Sequence, residues 1–326
     1  MKKALPLFLI CILICCGAHA QRTEVYNPHI HTVQVIANND YMAPAVIRLG
    51  EGETVEISFD HLTHDYHRYQ YVLTHCNADW TPSDLSETEY LDGFNDNPIE
   101  DHDISVNTTL PYTHYRLTLP NDQVRPKLSG NYRLLVYDDA EGKNKPAFST
   151  CFRILEKEVN ISAQVSSDTE IDRNKTHQQV SFSIQHKGYP IRNPQNEIKV
   201  HVLQDNRTDN EVTNLQPSYV GPDQLRYEHN RALIFPAGNE YRRFEMVSTR
   251  YASQGVESIR YHAPYYHVTL QPDQPRLLNY SYDQDQNGRF VIRYDEAVDN
   301  NTEADYFFVH FSLLWENPYG TAFRTS

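Results

Sequence analysis

Short runs that alternate strictly between apolar and polar residues most limit how this 326-residue chain can fold. In "TVEISFDHL" (54–62), Val55, Ile57 and Phe59 occupy every second position. "RYQYVLTHC" (68–76) does the same with Tyr69, Tyr71 and Leu73. A period of two sends such residues to one face of a strand, and that face needs a second layer to cover it. "HTVQVIAN" (31–38), "THYRLTLP" (113–120), "GNYRLLVYDD" (130–139) and "AFSTCFRILE" (147–156) read the same way, with "GEGE", "LPND" and "LSGN" as turn signals between runs. Six or seven short strands in about 130 residues, without a long amphipathic helix, predict an immunoglobulin-like β-sandwich.

A second block repeats the pattern without repeating the sequence. Strands are expected at 159–167, 178–188, 197–206, 225–235, 241–248 and 267–273, joined by Asn-, Pro- and Asp-rich connections. The tail, 276–318, predicts three more strands, with Asn287-Gly288 as a two-residue hairpin signal. Its last run, "YFFVHFSLLW", is apolar enough to need a partner on each side, yet the sequence ends soon after it. The expected fold is all-β: tandem immunoglobulin-like sandwiches at 21–156 and 157–274, and the start of a third, incomplete β unit at 275–326.

The opening "MKKALPLFLICILICCGAHAQ" has a positive start, an apolar run too short to span a membrane, and a small-x-small site at Ala18-His19-Ala20. It reads as a signal peptide covering 1–20. Lipoprotein processing at Cys15 or Cys16 is a rival, opposed by Ile14 and Cys15 at positions that favour small residues. Of five cysteines only Cys76 and Cys151 lie beyond this leader. An oxidising compartment permits a disulfide between them, although nothing in the sequence fixes their separation. A formal charge of −14 argues against nucleic acid and anionic lipid as partners.

Catalytic readings are weak. In "YVLTHCNADWTPSDL" (71–85), His75 adjoins Cys76, with Asp79 close behind. Adjacent residues on a strand point to opposite faces, so His75 is badly placed as the base of a Cys76 nucleophile; Asp79 is expected to cap a turn. His61, His64 and His67 form H-x2-H-x2-H, which would suit zinc on a helix, but they join two expected strands. His29 and His31 alone would be too few ligands. "DQDQNG" (283–288) starts like a calcium loop but carries Tyr294 where the bidentate Glu belongs. G-x-S-x-G, phosphate-cradling glycine loops and H-E-x-x-H do not occur, so neither enzyme activity nor a cofactor or metal is expected. The N-x-S/T sites at Asn107 and Asn174 carry no weight in an Asn-rich chain.

Residues 81–104 interrupt the strand rhythm with eight acidic residues and no Lys or Arg. They predict either a solvated loop whose Tyr90, Leu91 and Phe94 fold onto a sheet edge, or a docking surface. The series "HCNADWTPSDL" (75–85), "EYLDGF" (89–94), "YTHYRLTLPN" (112–121), "SGNYRLLVY" (129–137), "FPAGNEYRRFE" (235–245) and "ADYFFVHFSL" (304–313) closely resembles the type IX secretion system plug proteins of Bacteroidetes. The resemblance covers roughly 25–315, and members of that family run on well past this C-terminus. It implies a periplasmic, non-enzymatic protein that closes the giant outer-membrane translocon barrel of that system. On that reading the contact residues are Trp80, Glu87, Glu89, Tyr90, Asp92 and Phe94, with core packing as the competing role for Trp80. A carbohydrate-binding sandwich, using surface Tyr rings, is the alternative; a hydrolase with a His-based metal site is a weaker one.

Overall fold

The computed structural model describes residues 22–312, apart from 172, 175, 206, 208, 238–240 and 274–287. The expected signal peptide and nearly all of the calcium-like segment therefore lie outside the described residues. The main strands of the first unit begin with β1 (Ile30–Ala37), β2 (Val46–Arg48), β3 (Val55–His61) and β4 (Tyr69–Cys76). Helix α1 (Glu87–Tyr90), β5 (Leu91–Gly93), β6 (Asp101–Ile104) and β7 (Thr113–Leu119) follow. Then come β8 (Val124–Pro126), β9 (Gly130–Asp138) and β10 (Pro146–Leu155). One antiparallel sheet runs β1-β3-β7-β6. The other runs β10-β9-β4, with β2 joining the far side of β10 in parallel.

The alternating residues become the core between these sheets. Val55, Ile57 and Phe59 on β3 and Tyr69, Tyr71 and Leu73 on β4 are fully buried. Phe59 stacks on Tyr115 of its own sheet at 5.1 Å and meets Tyr69 and Phe148 of the opposite sheet at 5.0 and 4.9 Å. Such edge-to-face geometry adds to the area these rings bury. The first unit is the sandwich expected from the sequence.

The second unit contains β11 (Asn160–Ser166), β12 (His177–Gln185), helix α2 (Pro194–Glu197), β13 (Gln224–Tyr227) and β14 (Ile234–Pro236). Its sheet runs β11-β12-β13, with β14 also paired to β12. Phe182, Ile184, Leu225, Tyr227 and Phe235 form its core, and Val200, Val202 and Val212 pack over them. Among the described residues of the expected strand at 197–206 no strand forms; Val202 and Val212 make a single bridge there. Glu197 ends α2 by accepting from the backbone N–H groups of Arg192 and Asn193, which fixes the chain in a turn where the strand was expected to start.

A third sheet consists of β15 (Val256–His262), β16 (Tyr265–Leu270) and, after helix α3 (Asn300–Glu303), β17 (Phe307–His310). Strand β17 pairs in parallel with β16, so one sheet spans the boundary expected at 274. Sequence reading missed β15 because a bulge between Val256 and Ser258 breaks its alternation. The segment 241–248, expected as a strand, and residues 289–294, which follow the hairpin signal at Asn287-Gly288, belong to no strand among the described residues.

Phe59 is the ring on which both sheets of the first unit converge. Phe59→Ala is expected to cost about 3–5 kcal/mol, measured as a fall in the denaturant midpoint with an unchanged slope; a loss below 1 kcal/mol would contradict this packing.

Candidate docking surface

The acidic excursion is built rather than loose. Ser86 starts α1 with a capping box: its backbone N–H and its hydroxyl each donate to the Glu89 carboxylate at 2.7 Å. Tyr90 is buried, with its hydroxyl on the Leu73 carbonyl at 3.2 Å, and Leu91 is buried beside it. The Asn95 side chain binds both backbone groups of Leu73 at 2.9 Å and donates to Glu87 at 2.9 Å. Gly93 has φ +96°, and a Cβ there would sit 2.0 Å from the Gln123 carbonyl, so only glycine fits. That turn leaves Phe94 84% exposed, in a segment whose Glu87, Glu89 and Asp92 are also exposed.

The structure thus divides the six expected contact residues. Glu87, Glu89, Asp92 and Phe94 face solvent. Tyr90 and Trp80 are buried, at 5% and 4% exposure. Trp80 lies under the Arg153 guanidinium at 5.2 Å, the packing role that competed with contact in the sequence reading. Around it a cavity of about 350 Å³ is lined by Cys76, Asn131 and Arg153 of the first unit and by Lys199 and His201 of the second. No motif in the sequence pointed to Arg153, Lys199 or His201.

Strand register sets the two cysteines apart. Cys76 pairs with Asn131 on β9, and Cys151 with Arg133 on its other side, so one strand separates the two. Two strand spacings amount to about 9.6 Å, beyond the reach of a disulfide without backbone movement. Both are free thiols here. Burial raises the Cys76 thiol and raises that of Cys151 to about 11, the opposite of what a nucleophile needs. His75 turns away to Ser83 and the Ser129 carbonyl at 2.9 and 3.1 Å. Asp79 accepts from the backbone and hydroxyl of Thr81, closing the turn as expected.

The histidine series splits too. His61 and His67 meet at 4.1 Å between ring centroids, and His29 lies 5.9 Å from His61. His64 leaves for the Ser105 hydroxyl at 2.9 Å. His67 takes Asp138 at 2.6 Å, and the buried Tyr69 hydroxyl faces His61 Nδ1 at 3.2 Å. Burial, and then the charges of His67 and His29, push the His61 pKa down to about 4. Among the described residues no His/Cys/Asp/Glu group has metal-holding geometry.

A larger cavity, of about 790 Å³, opens where the C-terminal segment meets the first unit. Its floor includes Asp60, 3% exposed, which His114 and Tyr306 both reach at 2.6 Å. Burial, and then Asp60, raise the Tyr306 hydroxyl well above the usual phenol range. Asp305 accepts from the backbone and hydroxyl of Thr109 at 3.0 and 2.8 Å, and Tyr112 donates to the Ala304 carbonyl at 2.8 Å. The walls come from 241–249 and 288–294. Sequence reading found none of this, because its partners are about 200 residues apart.

Comparison with known proteins gives two findings. The family model described as "Type 9 secretion system plug protein 1st domain" matches residues 30–156, from the first residue of β1 to just past β10. The crystal structure of a hypothetical protein from Parabacteroides merdae ATCC 43184 is 48% identical, with a TM-score of 0.88 over 92% of this chain and 76% of that one. An alkylpurine DNA glycosylase from Pseudomonas fluorescens, solved bound to DNA with an abasic-site analog, reaches a TM-score of only 0.22 at 12% identity over 42% of this chain and 31% of that one, and says nothing about the fold. None of the curated proteins matches the chain. Among the described residues no helix is long and apolar enough to cross a membrane.

Two outcomes test this geometry. Trp80→Ala should cost about 3 kcal/mol or more while Phe94→Ala stays within about 0.5, because the first empties a packed site and the second removes a solvated ring. Similar losses for both would contradict the division. Between the ordinary His pKa of 6.5 and about 4, the unfolded chain takes up a proton that folded His61 refuses. Stability should therefore fall with pH through that window, by at most about 1.4 kcal/mol per pH unit for this group. An NMR titration placing His61 near 6.5 would remove the effect.

Proposed function

The chain belongs to the type 9 secretion system plug protein family, and we propose that it acts there as a non-enzymatic periplasmic plug. It would bind the periplasmic opening of the outer-membrane translocon barrel and close it. The match of 30–156 to a plug first domain carries this reading. Closing a channel demands no bond chemistry; it demands a surface that fits one state of the channel better than the other. The raised cysteine thiols and the histidines engaged by Ser and Asp partners agree with a binding role.

The contact surface in this reading is the acidic excursion. Phe94 supplies an exposed aromatic anchor, and Glu87, Glu89 and Asp92 supply the charge around it. In this reading Tyr90 anchors the excursion through its hydroxyl on the Leu73 carbonyl, Trp80 packs under Arg153, and neither serves as a contact.

The experiment is an affinity pull-down of the tagged protein from solubilised outer membranes of its own source, read by mass spectrometry. One very large barrel protein should dominate. Phe94→Ala, and Glu87→Lys with Asp92→Lys, should each cut its recovery about tenfold at unchanged melting temperature. Recovery of nothing by well-folded protein would overturn the plug reading. Undiminished recovery by the folded variants would overturn the choice of surface.

A further inference from the structure

One strand of the second unit is open along its whole length. β11 is an edge strand, paired through Asn160–Ser166 with β12 alone. Its backbone groups on the outer side have no partner among the described residues. Asn160 to Val165 are exposed and Ser166 is half-buried, so the edge is accessible. Native edge strands are commonly blunted by a charge, a proline or a bulge, because a bare edge invites a further strand. β11 (NISAQVS) has none of these devices, and it is uncharged in a chain whose formal charge is −14.

The side chains supply a second observation. Register sets Ile161 beside Ile184, Ala163 beside Phe182 and Val165 beside Val180. Residues directly opposite in an antiparallel sheet share a face. Ile184 and Phe182 belong to the core of this unit, and Val180 packs against it. Ile161 and Val165 therefore lie on the core face, yet they remain 67% and 58% exposed. The apolar face of the sheet runs out beyond its own cover as far as the bare edge. Extending the sheet would remove that area from water.

We propose that β11 is a homodimer interface, in which β11 of a second copy pairs with it antiparallel about a two-fold axis through Ala163. Self-complementarity selects a second copy as the occupant. A two-fold interface has to match its own residues, and about Ala163 every pair does. Ile161 meets Val165 of the second copy, Ala163 meets Ala163, Ser162 meets Gln164 and Asn160 meets Ser166. A shift of one residue would set apolar side chains against polar ones. In the matched register the apolar rows cross the axis unbroken: Leu225, Ile184 and Ile161 run on to Val165 and Val180 of the second copy. Glu158 and Asp168 flank the strand, and the same axis sets them against each other. Like charges oppose pairing, so the ladder stops at the seven residues of β11, a length of about 24 Å. An interface that short lies at the low end of the size scale for specific complexes, so the dimer is weak, with a Kd of about 10 µM.

Sedimentation velocity of the purified protein tests this with no translocon present, so its outcome is independent of the plug reading. From about 1 to about 200 µM the mass should rise from one copy to two. The rise should begin at lower protein concentration in about 0.3 M than in about 0.05 M salt, which screens the Glu158–Asp168 contacts. Ile161→Lys and Val165→Glu each put a charge against an apolar side chain at both ends of the ladder, and each should raise the Kd about tenfold or more. Both positions are exposed, so the melting temperature at about 1 µM, where the parent is a monomer, should not move. Mixed together, the two variants should recover the dimer. The mixed pair sets the new lysine against the new glutamate at one end of the ladder and keeps Ile161 against Val165 at the other. A monomer at every concentration would overturn the proposal. Association that both variants leave intact would overturn it by placing the interface elsewhere, and failure of the mixture to recover would overturn the two-fold through Ala163.

Discussion

The Asp60 carboxylate, 3% exposed near the C-terminal end of β3, is the constraint on which the arrangement of the chain turns. A carboxylate so far from water is tolerated only where its oxygens are taken up. His114 on the neighbouring strand reaches one oxygen and the Tyr306 hydroxyl the other. Tyr306 comes from 246 residues away, so the first sandwich completes its own interior with a side chain from the C-terminal segment. Thr32, beside the bulge that separates the register of His31 from that of Gln34, also meets the Tyr306 hydroxyl. Once Tyr306 is held, Asp305, Ala304 and Thr302 fall within reach of Thr109, Tyr112 and Val106, and each makes the bond its position allows. The first unit therefore differs from an isolated immunoglobulin-like sandwich: its β3-β7 sheet carries a docked segment, and the large cavity lies over that seam.

This dependence explains which parts of the molecule could be read from the sequence. The six alternating runs of the first unit are visible because each buries one face against a second sheet, and period two follows from burial on one side. In β13 and β14 the same logic works over three or four residues. It fails at 197–206, where Val200 and Val202 do point inward but Glu197 has already committed the chain to a turn. The pattern reported which side chains are buried; it could not report whether the backbone finds a ladder partner. Segments 241–248 and 289–294 make the same point, since their alternation is real yet they join no ladder among the described residues.

The excursion at 81–104 was legible as structured and not legible in detail. Eight carboxylates without a cation mark a solvated segment, and Tyr90, Leu91 and Phe94 mark an anchored one, but only backbone geometry divides the three rings and side chains between core and solvent. Gly93 decides it. Its left-handed φ and its contact with Gln123 aim the next residue outward, so Phe94 is exposed while Tyr90 and Leu91 are not. Trp80 shows the converse: positioned like an interface anchor in the sequence, it is consumed by Arg153 and by the seam with the second unit.

A plug of the proposed kind would have to satisfy a thermodynamic condition. A surface that binds open and closed channels equally shifts nothing, however tightly it binds; only the difference counts. A flexible acidic loop would adapt to both states and so discriminate poorly. The excursion here is held by a capping box at Ser86, by Asn95 on both backbone groups of Leu73, and by the β5-β8 ladder from Leu91 to Gly93. A ring presented from so fixed a base either meets its pocket or misses it, and a small displacement of the rim costs the whole contact. Rigidity beneath Phe94, more than the number of acids around it, is what would let such a surface tell one channel state from another.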